Sequence, residues 1–100
     1  MKIVSWNCQE GFISREKYSK LSSLNPDIAV VQECLHPNEF NNKLKHHDVI
    51  WQGKSKSKGL CVLSFNHDIK LELLEQEDTY QWILPIKVSG KQNFILLAYG

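Results

Sequence analysis

A short, uninterrupted apolar segment at residues 28–31 constrains the fold of this chain more than any other feature. The segment reads IAVV, has the length of a β-strand, and follows a turn sequence, NPD, at residues 25–27. Strands without polar residues on either face are typical of sheets that are covered on both sides. The segment therefore predicts a strand that is covered on both faces.

A strand and a helix are predicted before this segment. Residues 2–7 (KIVSWN) are rich in residues that favour β-strands, and Tyr18, Leu21 and Leu24 recur three residues apart on one face of a helix. Pro26 ends that helix, because proline disfavours helical geometry in the residue before it. A strand–helix–strand unit almost always has parallel strands and a right-handed crossover. The first third of the chain thus predicts two parallel strands of the α/β type.

Further strands and one short helix are predicted downstream. Pro37 opens the short helix, where its missing amide costs nothing. The predicted strands lie at residues 49–51, 60–65, 69–73, 81–88 and 93–99, with a polar loop at residues 54–59 and a final hairpin around residues 89–91. Residues 94–99 (FILLAY) predict a core strand, and because domain termini are usually polar, we expect a sheet that continues in a larger domain.

Charge and cysteine content narrow the class of protein. The net charge of +1 argues against a dedicated polybasic binder of nucleic acid or membranes. The number of cysteines is three, which is odd, and no two of them have the spacing of a known paired motif. This argues against a disulfide scaffold and for a reducing compartment. No segment approaches the ~18 apolar residues of a membrane span, and the apolar start is shorter than the ~7–15 residues of a signal-peptide core. We therefore expect a cytoplasmic protein with no membrane span.

Two polar residues stand at the ends of the first two predicted strands. Asn7 ends the first strand and Glu33 ends the second. The carboxyl ends of parallel strands share one edge of the sheet, where ligands bind in open α/β folds. A carboxylate there suits Mg²⁺, which prefers oxygen ligands and often takes one or two protein carboxylates plus a substrate phosphate. The alternatives are a salt bridge from Glu33 to a lysine and a simple turn role for Asn7.

Three segments carry a resemblance to a known family. Residues 2–7 (KIVSWN), 26–33 (PDIAVVQE) and 58–64 (KGLCVLS) together resemble the start of the endonuclease/exonuclease/phosphatase family, which includes apurinic/apyrimidinic endonucleases, deoxyribonuclease I and inositol-phosphate phosphatases. Residues 94–99 are similar to the strand that precedes a catalytic histidine in that family. The resemblance implies a deoxyribonuclease I-like fold of the α/β (α+β) class. Residues 1–100 would then be the N-terminal portion of a two-sheet β-sandwich flanked by helices, a partial domain without its C-terminal half.

The resemblance also implies an activity and roles for particular residues. The activity is metal-dependent, nuclease-like hydrolysis of a phosphodiester or phosphomonoester, with nucleic acid or another phosphate ester as the substrate. Glu33 matches the family's metal-binding glutamate, for Mg²⁺ or Mn²⁺, and Asn7 matches its active-site asparagine. Gln9 lies where many members have Asn or Asp, which predicts an altered polar contact with substrate. The family's general base and catalytic histidines have no counterpart within residues 1–100, so we expect negligible hydrolysis from these residues alone.

Two further groups of side chains have more than one interpretation. His36, three residues after Glu33, is a candidate substrate contact or a surface or cap histidine. Cys8 and Cys34 together with His36 offer a zinc site, although buried structural thiols are the simpler interpretation.

The lysines of the predicted polar loop and the exposed sheet surface leave other functions open. Lys54, Lys56 and Lys58 alternate with serines and can contact phosphates by charge, or form an ordinary solvated loop. A non-catalytic remnant that self-associates through exposed sheet surface is an alternative to the enzyme, and a small zinc-binding module is a third class.

Overall fold

The fold consists of seven strands and one α-helix within the part of the chain that the computed structural model describes, residues 1–9, 15–39, 46–55, 58–74 and 83–100. The elements are β1 (Ile3–Asn7), α1 (Arg15–Ser23), β2 (Ile28–Cys34), a 3₁₀ turn (Pro37–Glu39), β3 (Asp48–Ser55), β4 (Lys58–Ser64), β5 (Ile69–Leu73), β6 (Ile83–Gly90) and β7 (Phe94–Tyr99). They form sheet A, of order β1-β2-β4-β3, and sheet B, of order β5-β6-β7. The architecture is a β-rich, α+β-like arrangement of two sheets, which confirms the predicted class at that level.

Strand β2 lies in the middle of sheet A and is buried on both faces. It pairs in parallel with β1 on one side and antiparallel with β4 on the other. Ile28 and Val30 belong to the apolar cluster between the two sheets, whereas Ala29 and Val31 pack on the opposite face of sheet A. All four side chains are at most 5% exposed. The predicted cover on both faces of this strand and the predicted parallel pair are therefore confirmed.

Helix α1 packs on the face of sheet A that points away from sheet B. Leu21 is buried there and Tyr18 is half-buried against the same cluster. The helix stops as predicted, because Asn25 adopts a left-handed φ of 51° just after it. Leu24 was predicted on the buried face, but it follows the last helical residue and is 46% exposed. Among the described residues, no helix has the length and apolar content needed to cross a bilayer.

Strands β3 and β4 form a hairpin that is tighter than predicted. Ser55 of β3 pairs with Lys58 of β4, so the predicted polar loop at residues 54–59 is wrong in its extent. The helix predicted to open at Pro37 is a 3₁₀ turn in the described residues.

Sheet B packs one face on sheet A and presents apolar side chains on the other. The predicted hairpin of β6 and β7 is confirmed, and Leu84 and Ile86 of β6 are fully buried between the sheets. In the described chain β7 has β6 as its one neighbour, and Ile95, Leu97 and Tyr99 are 56%, 65% and 68% exposed. The prediction of a core strand is therefore wrong for these alternate residues, because nothing described covers their face of sheet B.

Two polar contacts join the sheets at the edge where β2 begins. The Asp48 carboxylate accepts a hydrogen bond from the backbone N–H of Leu71 at 3.0 Å. The buried Ser64 hydroxyl donates to the carbonyl oxygen of Ile69 at 3.3 Å. A buried hydroxyl without such a partner would destabilise the fold by about 1–3 kcal/mol, so these contacts help to fix the sheets together.

His46 lies at this edge and makes stability depend on pH. Burial lowers the pKa of His46 below its ordinary value, and the Asp48 carboxylate opposes that shift. The folded state therefore binds the proton less tightly than the unfolded chain, so stability is greatest above a pH of about 6.5 and decreases as the pH falls below it. We expect the urea midpoint to fall between pH of about 7.5 and 5.5, and His46→Gln to flatten that slope. A slope that survives the substitution would contradict this assignment.

Candidate functional site at the ends of β1 and β2

Asn7 and Glu33 lie at the same edge of sheet A. Asn7 is the last residue of β1 and stands opposite Gln32 in the parallel register, and Glu33 is the next residue of β2. The pairing continues past β1, since the Cys8 amide donates to the carbonyl oxygen of Gln32 at 3.1 Å. These four residues form one edge, termed here the β1–β2 rim.

A β-bulge at Glu33 interrupts the pairing of β2 with β4 at this rim. The pairing of β2 with β4 shifts between Val31 and Cys34, and Glu33 has a left-handed φ of 51°. The extra residue lets Cys34 return to the buried face that Val31 occupies, while the Glu33 side chain stays 39% exposed. Left-handed backbone in a residue other than glycine costs about 1–2 kcal/mol, and such strain is concentrated at binding and catalytic sites.

Lys58 is the charged neighbour of Glu33. Its Nζ lies 4.0 Å from Glu33 Oε1, and the Lys58 side chain is 55% exposed. The salt bridge considered from the sequence is therefore present. An exposed ion pair stabilises a fold by about 0–1 kcal/mol, so this contact compensates the charge of Glu33 more than it holds the sheet together.

The side-chain oxygen of Asn7 takes part in a turn, and its NH₂ group can still donate hydrogen bonds. Its side-chain oxygen accepts a hydrogen bond from the backbone N–H of Gln9 at 2.9 Å. Gln9 is exposed, with a left-handed φ of 53°. The turn role considered for Asn7 is thus present, and the NH₂ group of the amide is the part that can donate to a ligand. Contact of Gln9 with substrate stays a prediction.

Trp51 connects the rim to the neighbouring 3₁₀ turn. Its indole N–H donates to the carbonyl oxygen of Cys34 at 3.1 Å, and its ring centroid lies 4.6 Å from that of His36. His36 Nδ1 accepts from the backbone N–H of Asn38 at 3.1 Å, so the neutral ring carries its proton on Nε2. The cap role predicted for His36 is therefore observed, and its contact with substrate stays a prediction.

The three cysteines form a buried cluster on the helix-facing side of the rim. Cys8, Cys34 and Cys61 are each at most 1% exposed and none forms a disulfide. Contact with the Cys61 thiol raises the pKa of Cys34 far above its ordinary value, burial raises it further, and the Cys8 thiol opposes the rise. The burial of all three side chains favours the simpler of the two interpretations, in which they pack as small apolar groups, and the zinc site stays a prediction.

The oxygen atoms of the rim suit a hard cation as part of its coordination shell. Glu33 offers an accessible carboxylate, and the described residues contain no group of three or more His, Cys, Asp or Glu side chains arranged to hold a metal. Mg²⁺ keeps several waters and takes few protein carboxylates when a substrate phosphate completes its shell. Glu33 is therefore one carboxylate at the rim that could serve as a ligand, and Mg²⁺ or Mn²⁺ binding stays a prediction.

Two polar side chains in or next to the rim make contacts that the sequence patterns do not indicate. Lys17 reaches from α1 to donate to the carbonyl oxygen of Cys8 at 2.6 Å. The Gln32 amide donates to the Ser5 hydroxyl at 3.0 Å and to the carbonyl oxygen of Tyr99 at 3.2 Å, which links β1, β2 and β7. Alternation along β2 would have placed Gln32 on the same face as Ile28 and Val30, whereas nothing local signals the reach of Lys17.

No protein-family model matches the chain, and no curated protein sequence matches it significantly. The function is therefore inferred from the geometry of the rim and from the segments that frame it.

Proposed function

We propose that this chain is the N-terminal part of a metal-dependent phosphoesterase of the endonuclease/exonuclease/phosphatase type, with a deoxyribonuclease I-like sandwich as its complete fold. The observation that supports the proposal is the position of Asn7 and Glu33 at the same end of the parallel strands β1 and β2, with left-handed backbone at Glu33. Nucleic acid or another phosphate ester is the proposed substrate. Cys8, Cys34 and Cys61 form no disulfide, which supports a reducing, cytoplasmic location.

The proposed roles follow from the chemistry of the two side chains. Glu33 holds Mg²⁺ or Mn²⁺ through its carboxylate, and Asn7 donates its amide N–H groups to a phosphate oxygen. When bound, the cation stabilises negative charge on the phosphoryl oxygens. Neither Asn7 nor Glu33 in these roles is a general base, so we expect residues 1–100 to bind metal and phosphate without measurable hydrolysis.

Removal of the Glu33 charge tests the metal site. We expect Glu33→Gln to weaken Mn²⁺ binding at least about tenfold, because an amide oxygen replaces the single carboxylate ligand. Electron paramagnetic resonance of free Mn²⁺ measures the affinity, and circular dichroism checks that the variant is folded. Glu72→Gln, on the exposed face of β5, is the matched control and should bind as the parent does. Equal Mn²⁺ affinity in Glu33→Gln and the parent would refute the proposed function.

A second candidate function is favoured by the exposed face of sheet B. Ile95, Leu97 and Tyr99 form an uncharged apolar row on a strand with one described neighbour, and such edges pair readily with other strands. A non-catalytic, self-associating module would use this surface. Light scattering separates the candidates, since a stable dimer that neither binds nor responds to Mg²⁺ supports self-association, whereas a Mg²⁺-binding monomer supports the phosphoesterase.

A further inference from the structure

Lys58 reaches the β1–β2 rim through the register of sheet A. It begins β4, and its neighbour Gly59 stands opposite Cys34 at the far side of the bulge. This register brings Lys58 Nζ within 4.0 Å of Glu33 Oε1, although the two residues are far apart in sequence. The rim thus contains an amide, a carboxylate and an ammonium group, contributed by three strands.

The distance between Lys58 and Glu33 has a consequence for a bound cation. A divalent ion coordinated by Glu33 lies about 2.0–2.1 Å from the carboxylate oxygen if it is Mg²⁺. An ammonium group that stayed 4.0 Å from that oxygen would then face the ion at close range and be repelled. The Lys58 side chain is 55% exposed and flexible, so it can move away from Glu33 while it remains at the rim.

We propose that Lys58 is a phosphate-binding residue that neutralises Glu33 when the metal is absent and contacts the substrate phosphate when the metal is bound. This inference rests on the proposed function, because it needs both the cation at Glu33 and an anionic phosphate. When Glu33 binds the metal, Lys58 loses its negatively charged partner. A phosphate group bound to the cation then provides a new negative charge for Lys58. Lysine provides this contact as a compact point charge, with no demand for a bidentate geometry.

Removal of the Lys58 charge is expected to raise the Mg²⁺ affinity without phosphate and to abolish the gain in Mg²⁺ affinity that phosphate gives. Lys58→Met keeps most of the side-chain length and removes the charge. Without phosphate, we expect this variant to bind Mg²⁺ about two- to five-fold more tightly than the parent, because an exposed competing ion pair is gone. Inorganic phosphate should tighten Mg²⁺ binding in the parent and have little effect in Lys58→Met, since metal and phosphate binding are reciprocally coupled.

Isothermal titration with Mg²⁺, with and without inorganic phosphate, measures both effects on the full chain. Lys58→Arg keeps the positive charge and should retain the tightening by phosphate. Lys87→Met, an exposed lysine of β6, is the matched control and should behave as the parent. Unchanged or weaker Mg²⁺ binding in Lys58→Met, or a phosphate effect equal to that of the parent, overturns the role of Lys58. If Lys58→Met gives either of these results but Glu33→Gln loses Mg²⁺ binding, only the role of Lys58 fails and the proposed function stands. If Glu33→Gln keeps Mg²⁺ binding, the proposed function and the role of Lys58 both fail.

Discussion

Substitution of Gly59 by alanine is expected to destabilise the fold by about 3 kcal/mol, the upper part of the range for overpacked cores. A β-carbon at Gly59 would overlap the indole ring of Trp51, which lies directly across it. Trp51 cannot move without breaking its hydrogen bond to the Cys34 carbonyl and its contact with His36. The change should therefore disturb the backbone next to Glu33 as well as lower stability. The midpoint of urea unfolding, followed by circular dichroism, measures the effect.

Two controls distinguish the clash with Trp51 from a loss of stability that any substitution of glycine by alanine would cause. A β-carbon at Gly100 would meet Leu60 at 3.4 Å, an ordinary contact, so Gly100→Ala should change stability little. Trp51→Leu removes the ring that Gly59→Ala would strike, so the double variant should be more stable than the sum of the two single losses predicts. Additive losses in the double variant would show that Trp51 is not the obstacle.

Substitution of Glu33 by asparagine is expected to abolish metal binding and to stabilise the fold by about 0.5–1 kcal/mol. Asparagine tolerates the left-handed backbone that Glu33 adopts, so the strain of about 1–2 kcal/mol is partly relieved. The lost ion pair with Lys58 offsets only a little of this gain, because the pair is exposed. A substitution that improves stability while it removes binding is the behaviour expected of a residue kept for function.

The same position offers its own control. Glu33→Gln removes the charge but keeps a side chain that is unfavourable at a φ of 51°, so it should lose metal binding without the gain in stability. Urea unfolding and Mn²⁺ titration of the two variants give the comparison. Equal or lower stability of Glu33→Asn relative to Glu33→Gln would mean that the backbone strain at Glu33 is negligible.

The sequence predicts the centre of sheet A well because the signals there are local. Residues 28–31 are apolar without interruption, and a helix between two strands leaves little freedom except a parallel crossover. Those two facts place Asn7 and Glu33 at one edge, which the register of β1 and β2 shows directly. The end of α1 shortly before Pro26 follows equally from that proline.

The features that shape the rim are not local, and the sequence does not reveal them. The bulge at Glu33 depends on how β2 pairs with β4, and the contact with Lys58 depends on the same register across 25 residues. The prediction for residues 94–99 is wrong for a related reason. An apolar run predicts a strand covered on both faces, but the run itself does not show whether another layer packs on the second face. Tertiary pairing decides these cases, so composition and periodicity alone are insufficient.

The position of β1 at the edge of sheet A determines which strand is expected to unfold first. β1 has β2 as its neighbour on one side, and Ile3, Ser5 and Asn7 alternate toward solvent along it, whereas β2 is enclosed by two strands. Strands with few buried contacts separate from a protein at a lower free energy than its core does. Fraying of β1 would carry Asn7 away from Glu33 while both sheets persist. Under mild denaturant, ligand recognition at this edge is thus expected to disappear before the bulk of the secondary structure does.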